Sequence, residues 1–305
     1  MSTSRLRLGI DLGGTKIEAA AVADDGQVVS RIRRPNPGEY GALLETVAGL
    51  VEAVEAETGQ RFARVGVGVP GSLSPVSGRM RNANSVWLNG MPLNDDLERR
   101  LERPVRVAND ANCMALSEAM DGAGGDGDVV FAIILGTGCG GGLMVNGRLI
   151  QGRNGVAGEW GHTPLPWPRT DEVPGTRCWC GHSNCLETYL SGSGLERDFR
   201  EASGRALKGD EIIREAREGD PDAAAALARH RDRLGRALAN VVNLMDPDVF
   251  VIAGGLSNVP EIIDGAAEAM RPYVFSDTLT TPVRRAAHGD SSGVRGAAWL
   301  WPLED

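Results

Sequence analysis

The sequence predicts an α/β protein of about two domains, and three observations carry that reading. The chain has 305 residues, too many for one small domain and suited to two. Strand-like runs alternate with helix-like runs along its length. A strand–glycine–strand unit occurs twice, at Ile10-Asp11-Leu12-Gly13-Gly14-Thr15 and around Gly136-Thr137-Gly138, which implies a duplicated architecture with one glycine hairpin per half.

Residues 6–11 read as an apolar-rich strand, Gly13-Gly14 as a tight turn and residues 16–23 as an extended return. The turn signal Asp24-Asp25-Gly26 leads into a third strand over 27–33. In a Walker P-loop or a Rossmann fingerprint the glycines open a helix; here they sit in a hairpin, so both readings lose their context. Leu43, Leu44, Val47, Leu50, Val51 and Val54 recur at helical spacing and predict a helix over 40–57. Strands follow at 64–69, ending in Pro70-Gly71, and at 105–108, ending in Asn109-Asp110. The second unit runs from the apolar 129–135 through the glycine break to 139–145 and a turn at Asn146-Gly147. A long helix is predicted over 221–245, with Leu227, Leu234, Leu238, Val241 and Met245 on one face. A strand over 248–253 ends in Gly254-Gly255, and 294–301 reads as a closing helix. The expected division is a smaller N-terminal domain over 1–113, completed by a C-terminal helix at 291–305, and a larger domain over 114–290.

Composition excludes several classes. A 42% hydrophobic share with 24% charged residues is that of an ordinary soluble protein. Net charge is −9 and no basic run exists, which argues against nucleic acid as a partner. No apolar stretch approaches the ~20 residues that span a bilayer. Residues 1–7 are polar and lead straight into a strand, so no signal peptide is expected. Three cysteines at metal-ligand spacing, with Cys113 and Cys139 unpaired elsewhere, suit a reducing cytoplasm.

The densest chemistry lies between Glu159 and Glu187. His162, Cys178, Cys180 and Cys185 stand at zinc-ligand spacing inside a loop rich in glycine and proline. A Cys3His set is a closed structural site, so the metal would brace the loop and hold Glu159, His162 and Glu187 beside it. The bland alternative is three separate buried thiols. His182, inside the same loop, leaves open which histidine is the ligand.

Each glycine hairpin carries a second constellation. Asp11, Gly13, Gly14, Thr15 and Lys16 offer close backbone approach, a hydroxyl, a cation and a carboxylate suited to Mg²⁺; a plain tight hairpin is the competing reading. Gly136, Thr137, Gly138, Gly140, Gly141 and Gly142 weaken a strand so heavily that close approach by a ligand is the expected reason. Gly254-Gly255 is either a third approach site, for an adenosine, or a strand-to-helix turn. Asp110 in Asn109-Asp110-Ala111-Asn112 is either a helix cap or a general base taking a proton from a sugar hydroxyl.

Together these motifs resemble the ROK family of sugar kinases over essentially the whole chain: DLGGTK, GVPG, NDAN, GTGCGGG, ExGH, CxCG…C and a late GG, in that order. The segments 82–90 and 288–296 look like its fructokinase, or manno(fructo)kinase, branch. The resemblance implies two actin-like, ribonuclease-H-like domains with a nucleotide and sugar cleft between them. It implies Asp110 as catalytic base, with Asn84, Asn109, Glu159, His162 and Glu187 as sugar contacts. It also implies ATP with Mg²⁺, a structural Zn²⁺ and a homodimer. The family usually places glycine before the last cysteine; here it is Asn184, which tolerates the left-handed turn better than most residues.

The expected activity is therefore ATP-dependent phosphorylation of a hexose 6-hydroxyl, with D-fructose leading and mannose and glucose accepted. N-acetylglucosamine is expected to be poor, because its acetamide needs a pocket with no visible sequence signal. The alternatives are an N-acetylglucosamine kinase or glucokinase of the same family. From other classes come a sugar-responsive transcriptional regulator, which would need a helix-turn-helix ahead of the first strand, and a binding protein with a dead site, which would be expected to lose Asp110 or the glycine hairpins.

Overall fold

In the computed structural model, which describes residues 5–301, the chain forms two compact α/β units. The first takes the segment ending at Gly122, the segment Arg148–Ala157 and the C-terminal segment from Asp290; the second takes Ala123–Gly147 and Gly158–Gly289. A boundary at 113/114 would cut the helix Asp110–Asp121 in two. That helix stays whole because it packs against the closing helix Ser292–Trp299, where a Cβ on Gly296 would collide with the Cys113 carbonyl.

The sheet of the first unit runs in the order Val28–Pro35, Lys16–Ala23, Leu6–Leu12, Val65–Val69, Val105–Asn109. The first three strands are antiparallel and the remaining pairings parallel. One face is covered by the helix Tyr40–Thr58, which buries Leu43, Val47, Leu50, Val51 and Val54. Glu39 caps that helix by accepting from the Gly41 and Ala42 amides, and Gly59 ends it in the left-handed region. Burying five such side chains contributes roughly 1.5–3 kcal/mol each before chain entropy is counted.

The second unit repeats the pattern. Cys139–Val145 pairs antiparallel with Val129–Leu135, which lies parallel to Val249–Ala253, itself parallel to Val283–Arg285. The long helix Pro221–Met245 starts at Asp220, whose side chain accepts from the Ala223 amide, with Pro221 at the first helical position. Leu227, Leu234, Leu238 and Val241 are buried as expected, but Met245 at the helix end is 37% exposed. His230, between two arginines, reads as solvated in sequence and is in fact buried: Nε2 meets the Leu190 carbonyl at 3.0 Å. Burial pulls its pKa down to about 4, so it is neutral.

This helix also anchors the loop ahead of the cysteines. Glu172 is buried between Arg233 and Arg236, and Arg233 also pairs with Asp198. Burial opposes ionisation of Glu172, yet bonds from Arg236, the Arg169 amide and Arg233 win and hold its pKa at about 2. The Tyr189 hydroxyl, 2.7 Å from Asn184 Oδ1 and 3.1 Å from the Glu172 carbonyl, ties this ion-paired core to the cysteine loop. No helix among the described residues is long and apolar enough to cross a membrane.

Candidate functional site

In the first unit the groups of interest converge at strand and helix ends. Asn109 ends its strand and caps the next helix, its Oδ1 accepting from the Ala111 amide at 2.9 Å while Nδ2 donates to the Gly71 carbonyl at 3.0 Å. The Ala111 amide is shared, since Asp110 Oδ1 also accepts from it at 2.8 Å, so both side chains serve the helix start. Asp110, the first helical residue, stands exposed at the helix N-terminus, where the peptide dipoles favour a carboxylate. Asp11 lies near the end of the first strand, opposite Glu18 in the ladder. Burial above all, then the charges of Asp110 and Glu18, push its carboxyl up to about 7; Lys16 and Arg31 pull the other way. A part-buried acid crowded by two other carboxylates is what a hard divalent cation relieves, so Asp11 suits Mg²⁺. Gly293, in the segment 288–296, lies against it: a Cβ there would stand 3.1 Å from Asp11 Oδ2. Thr15 and Lys16 are exposed, as is Gly14, and a Cβ on Gly14 would meet nothing within 4 Å. Asn84 is exposed in the loop 82–90.

The second unit carries the cysteine loop. Cys178 to Ser183 folds into a tight knuckle, the Cys178 amide donating to the His182 carbonyl at 2.7 Å. Cys185 bridges to Pro164, and the Leu186 amide donates to the Thr163 carbonyl, which draws the last cysteine alongside His162. Asn184 takes the left-handed turn expected of it, with φ +68°. Among the described residues, His162, Cys178, Cys180 and Cys185 bring one donor atom each within 4.8 Å of one another. Cys178 Sγ is 3.6 Å from His162 Nδ1, and Cys180 Sγ is 3.6 Å from Cys185 Sγ. Tetrahedral zinc, with bonds of about 2.0–2.3 Å, sets ligand–ligand edges of about 3.3–3.8 Å, so this donor set fits zinc. His182 is exposed and reaches only Cys180, at 3.7 Å, outside the four-atom cluster.

The turn Trp160–His162 is fixed to the second hairpin. Trp160 is buried edge-on against Phe131, 5.8 Å between ring centres, and its indole N–H donates to the Gly140 carbonyl. A Cβ on Gly141 would stand 2.7 Å from the Gly158 carbonyl and 2.8 Å from the Trp160 ring. A Cβ on Gly138 would stand 2.8 Å from Glu187 Oε2, which accepts from the Cys139 amide at 3.0 Å. These two glycines therefore make room for the protein's own groups, correcting the expectation that the whole glycine run serves a ligand. Gly136 has open surroundings and Thr137 is exposed, so that end of the hairpin is open to approach from outside. Gly254 likewise has φ +87° and packs against the Leu135 backbone, which is the turn reading, whereas Gly255 is open. Glu159 is exposed just before the turn. Trp179, passed over in the sequence, donates its indole N–H to Glu187 Oε1 at 2.6 Å.

Comparison with known proteins agrees with this layout. A family profile described as the ROK family matches residues 7–304. An N-acetyl-D-glucosamine kinase of Pectobacterium atrosepticum is 41% identical over 302 residues, covering 97% of this chain and 99% of that protein. A ROK hexokinase from Thermus thermophilus superposes with a TM-score of 0.86 at 35% identity, covering 96% of this chain and 97% of that one. A glucokinase from Streptomyces griseus, solved with glucose and AMPPNP, gives 0.79 at 30% identity, covering 97% and 99%.

Proposed function

Since this chain belongs to the ROK family of sugar kinases, with two actin-like α/β domains, we propose that it transfers the γ-phosphoryl group of ATP to the 6-hydroxyl of N-acetylglucosamine. The observation that carries the choice of sugar is the end-to-end 41% identity with a protein named as an N-acetyl-D-glucosamine kinase. The fructose expectation rests on segments 82–90 and 288–296, and packing accounts for some residues of each. Asn89 closes the first loop on itself, accepting from the Ala83 amide and donating to the Ala83 carbonyl. In the second, Gly293 makes room for Asp11 and Gly296 for the Cys113 backbone. Residues placed for packing say little about which sugar is bound.

Phosphoryl transfer needs little covalent help from a protein; it needs placement and charge stabilisation. Asp110 would accept the proton of the attacking hydroxyl, a role supported by its exposure at the helix N-terminus, where it shares the Ala111 amide with Asn109. Asn84, Asn109, Glu159, His162 and Glu187 would bond the sugar hydroxyls. The backbone at Gly14, Thr15, Gly136, Thr137 and Gly255 would line phosphate or nucleotide. Mg²⁺, when bound beside Asp11, would offset phosphate charge. A zinc ion held by His162, Cys178, Cys180 and Cys185 would brace the loop; four protein ligands leave no open position for substrate.

Steady-state kinetics with ATP and a hexose panel tests the reading. Against the expectation that its acetamide would make it poor, N-acetylglucosamine should give the highest kcat/KM, ahead of glucose, mannose and fructose by about tenfold or more, the low end of what one substituent discriminates. Equal or better use of glucose or fructose would sink the choice of sugar and leave the kinase class standing.

A further inference from the structure

Trp179 is the most exposed tryptophan named so far, with 66% of its surface open, although it is flanked on both sides by cysteines of the metal-binding set. An indole left this exposed forgoes the burial that usually accounts for tryptophan's place in a fold. Its backbone is set by the knuckle, and its side chain makes two directed contacts. The indole N–H donates to Glu187 Oε1 at 2.6 Å, and the ring meets the His162 imidazole edge-on, 4.9 Å between centres at 88°. The other Glu187 oxygen is held from the glycine hairpin by the Cys139 amide. The carboxylate is thus fixed at both ends, once by each neighbouring segment. An ionised carboxylate has about four acceptor positions, so two remain for hydroxyl groups, in a plane that the two donors fix.

We propose that Trp179 is a positioning residue for the sugar: its indole N–H sets the plane of the Glu187 carboxylate, and its exposed ring offers an apolar wall to the C–H face of a pyranose held by Glu187 and His162. This rests on the reading that those two residues bond the sugar. A pyranose presents hydroxyls at its edge and C–H groups on its faces, so a fixed acceptor beside an aromatic plane matches both surfaces. Loss of the N–H leaves Glu187 with one anchor instead of two. Loss of the ring removes the wall as well.

The test uses W179F, which keeps a ring without the donor, and W179A, which keeps neither. W179F should raise the KM for the preferred hexose by about tenfold, the scale of a lost bond to a charged group, while the ATP KM, bound-metal content and thermal midpoint stay at wild-type values. W179A should raise the sugar KM further. Tryptophan emission should change when sugar is added without ATP, and that change should vanish in W179F. A W179F enzyme with the wild-type sugar KM overturns the inference alone. So does one that loses metal or thermal stability in step with activity, because the residue then merely supports the loop. A wild-type protein that phosphorylates no hexose removes the kinase reading and this inference with it.

Discussion

The two glycine hairpins read alike in sequence and differ in what their glycines do. In the first, a Cβ on Gly13 would stand 2.8 Å from the Lys16 carbonyl, while Gly14 sits exposed with empty space where a side chain would go. In the second, Gly138 and Gly141 are crowded by Glu187, Gly158 and Trp160. The tip of the first, at Gly14, is open to something arriving from outside. Much of the second is shaped for the turn Trp160–His162 and for Glu187, while its Gly136–Thr137 end stays open. Counting glycines in a hairpin therefore overstates how many of them meet a ligand. What matters is what a Cβ at each position would touch.

The largest expected effect is on chemistry at the end of the first unit's sheet. Asp110→Asn keeps size and polarity but cannot take a proton, so kcat should fall by about 10²-fold or more with the sugar KM little changed. Wild-type turnover would return Asp110 to a purely structural role. Next comes the loop that the second hairpin supports: Cys180→Ser should release zinc, measured by elemental analysis at close to one per chain in the wild type, and weaken sugar binding. Zinc-free wild type, or full retention in the variant, would reject the site. Gly141→Ala then probes the crowded hairpin directly. The added methyl meets backbone and a buried ring, so thermal or denaturant unfolding should show a loss of about 1–3 kcal/mol. The smallest structural effect belongs to Gly14→Ala, with stability within about 0.5 kcal/mol of wild type and a severalfold rise in the ATP KM alone. Matching stability losses in the two alanine variants would erase the contrast between the hairpins.

Much of the fold was legible because periodicity survives in one dimension. The predicted helix over 40–57 is Tyr40–Thr58, and the long helix has the expected ends, set by Asp220, Pro221 and the left-handed Asp246. His230 reads as solvated from its neighbours Arg229 and Arg231, but its spacing says otherwise. It lies three residues after Leu227 and four before Leu234, on the buried stripe, and that signal was in the sequence. The cysteine loop was legible from ligand types and spacing. Whether His162 or His182 joins the cluster was not, because both stand within reach of a cysteine in sequence and only the pairing of 163–165 with 184–186 separates them.

The sequence by itself determined the α/β class, the repeated hairpin, the order of the main helices and strands, and the identity of the three thiol donors. Each depends on local spacing or on residue chemistry that any fold would have to accommodate. Only the tertiary structure decided that Gly138 and Gly141 yield to Glu187 and Trp160, that the Cys139 amide holds Glu187, and that His162 rather than His182 closes the metal cluster. Those outcomes depend on which groups separate strands and turns bring together. A long-range hydrogen bond or a steric overlap is a property of such pairs, and no single stretch of chain contains both members.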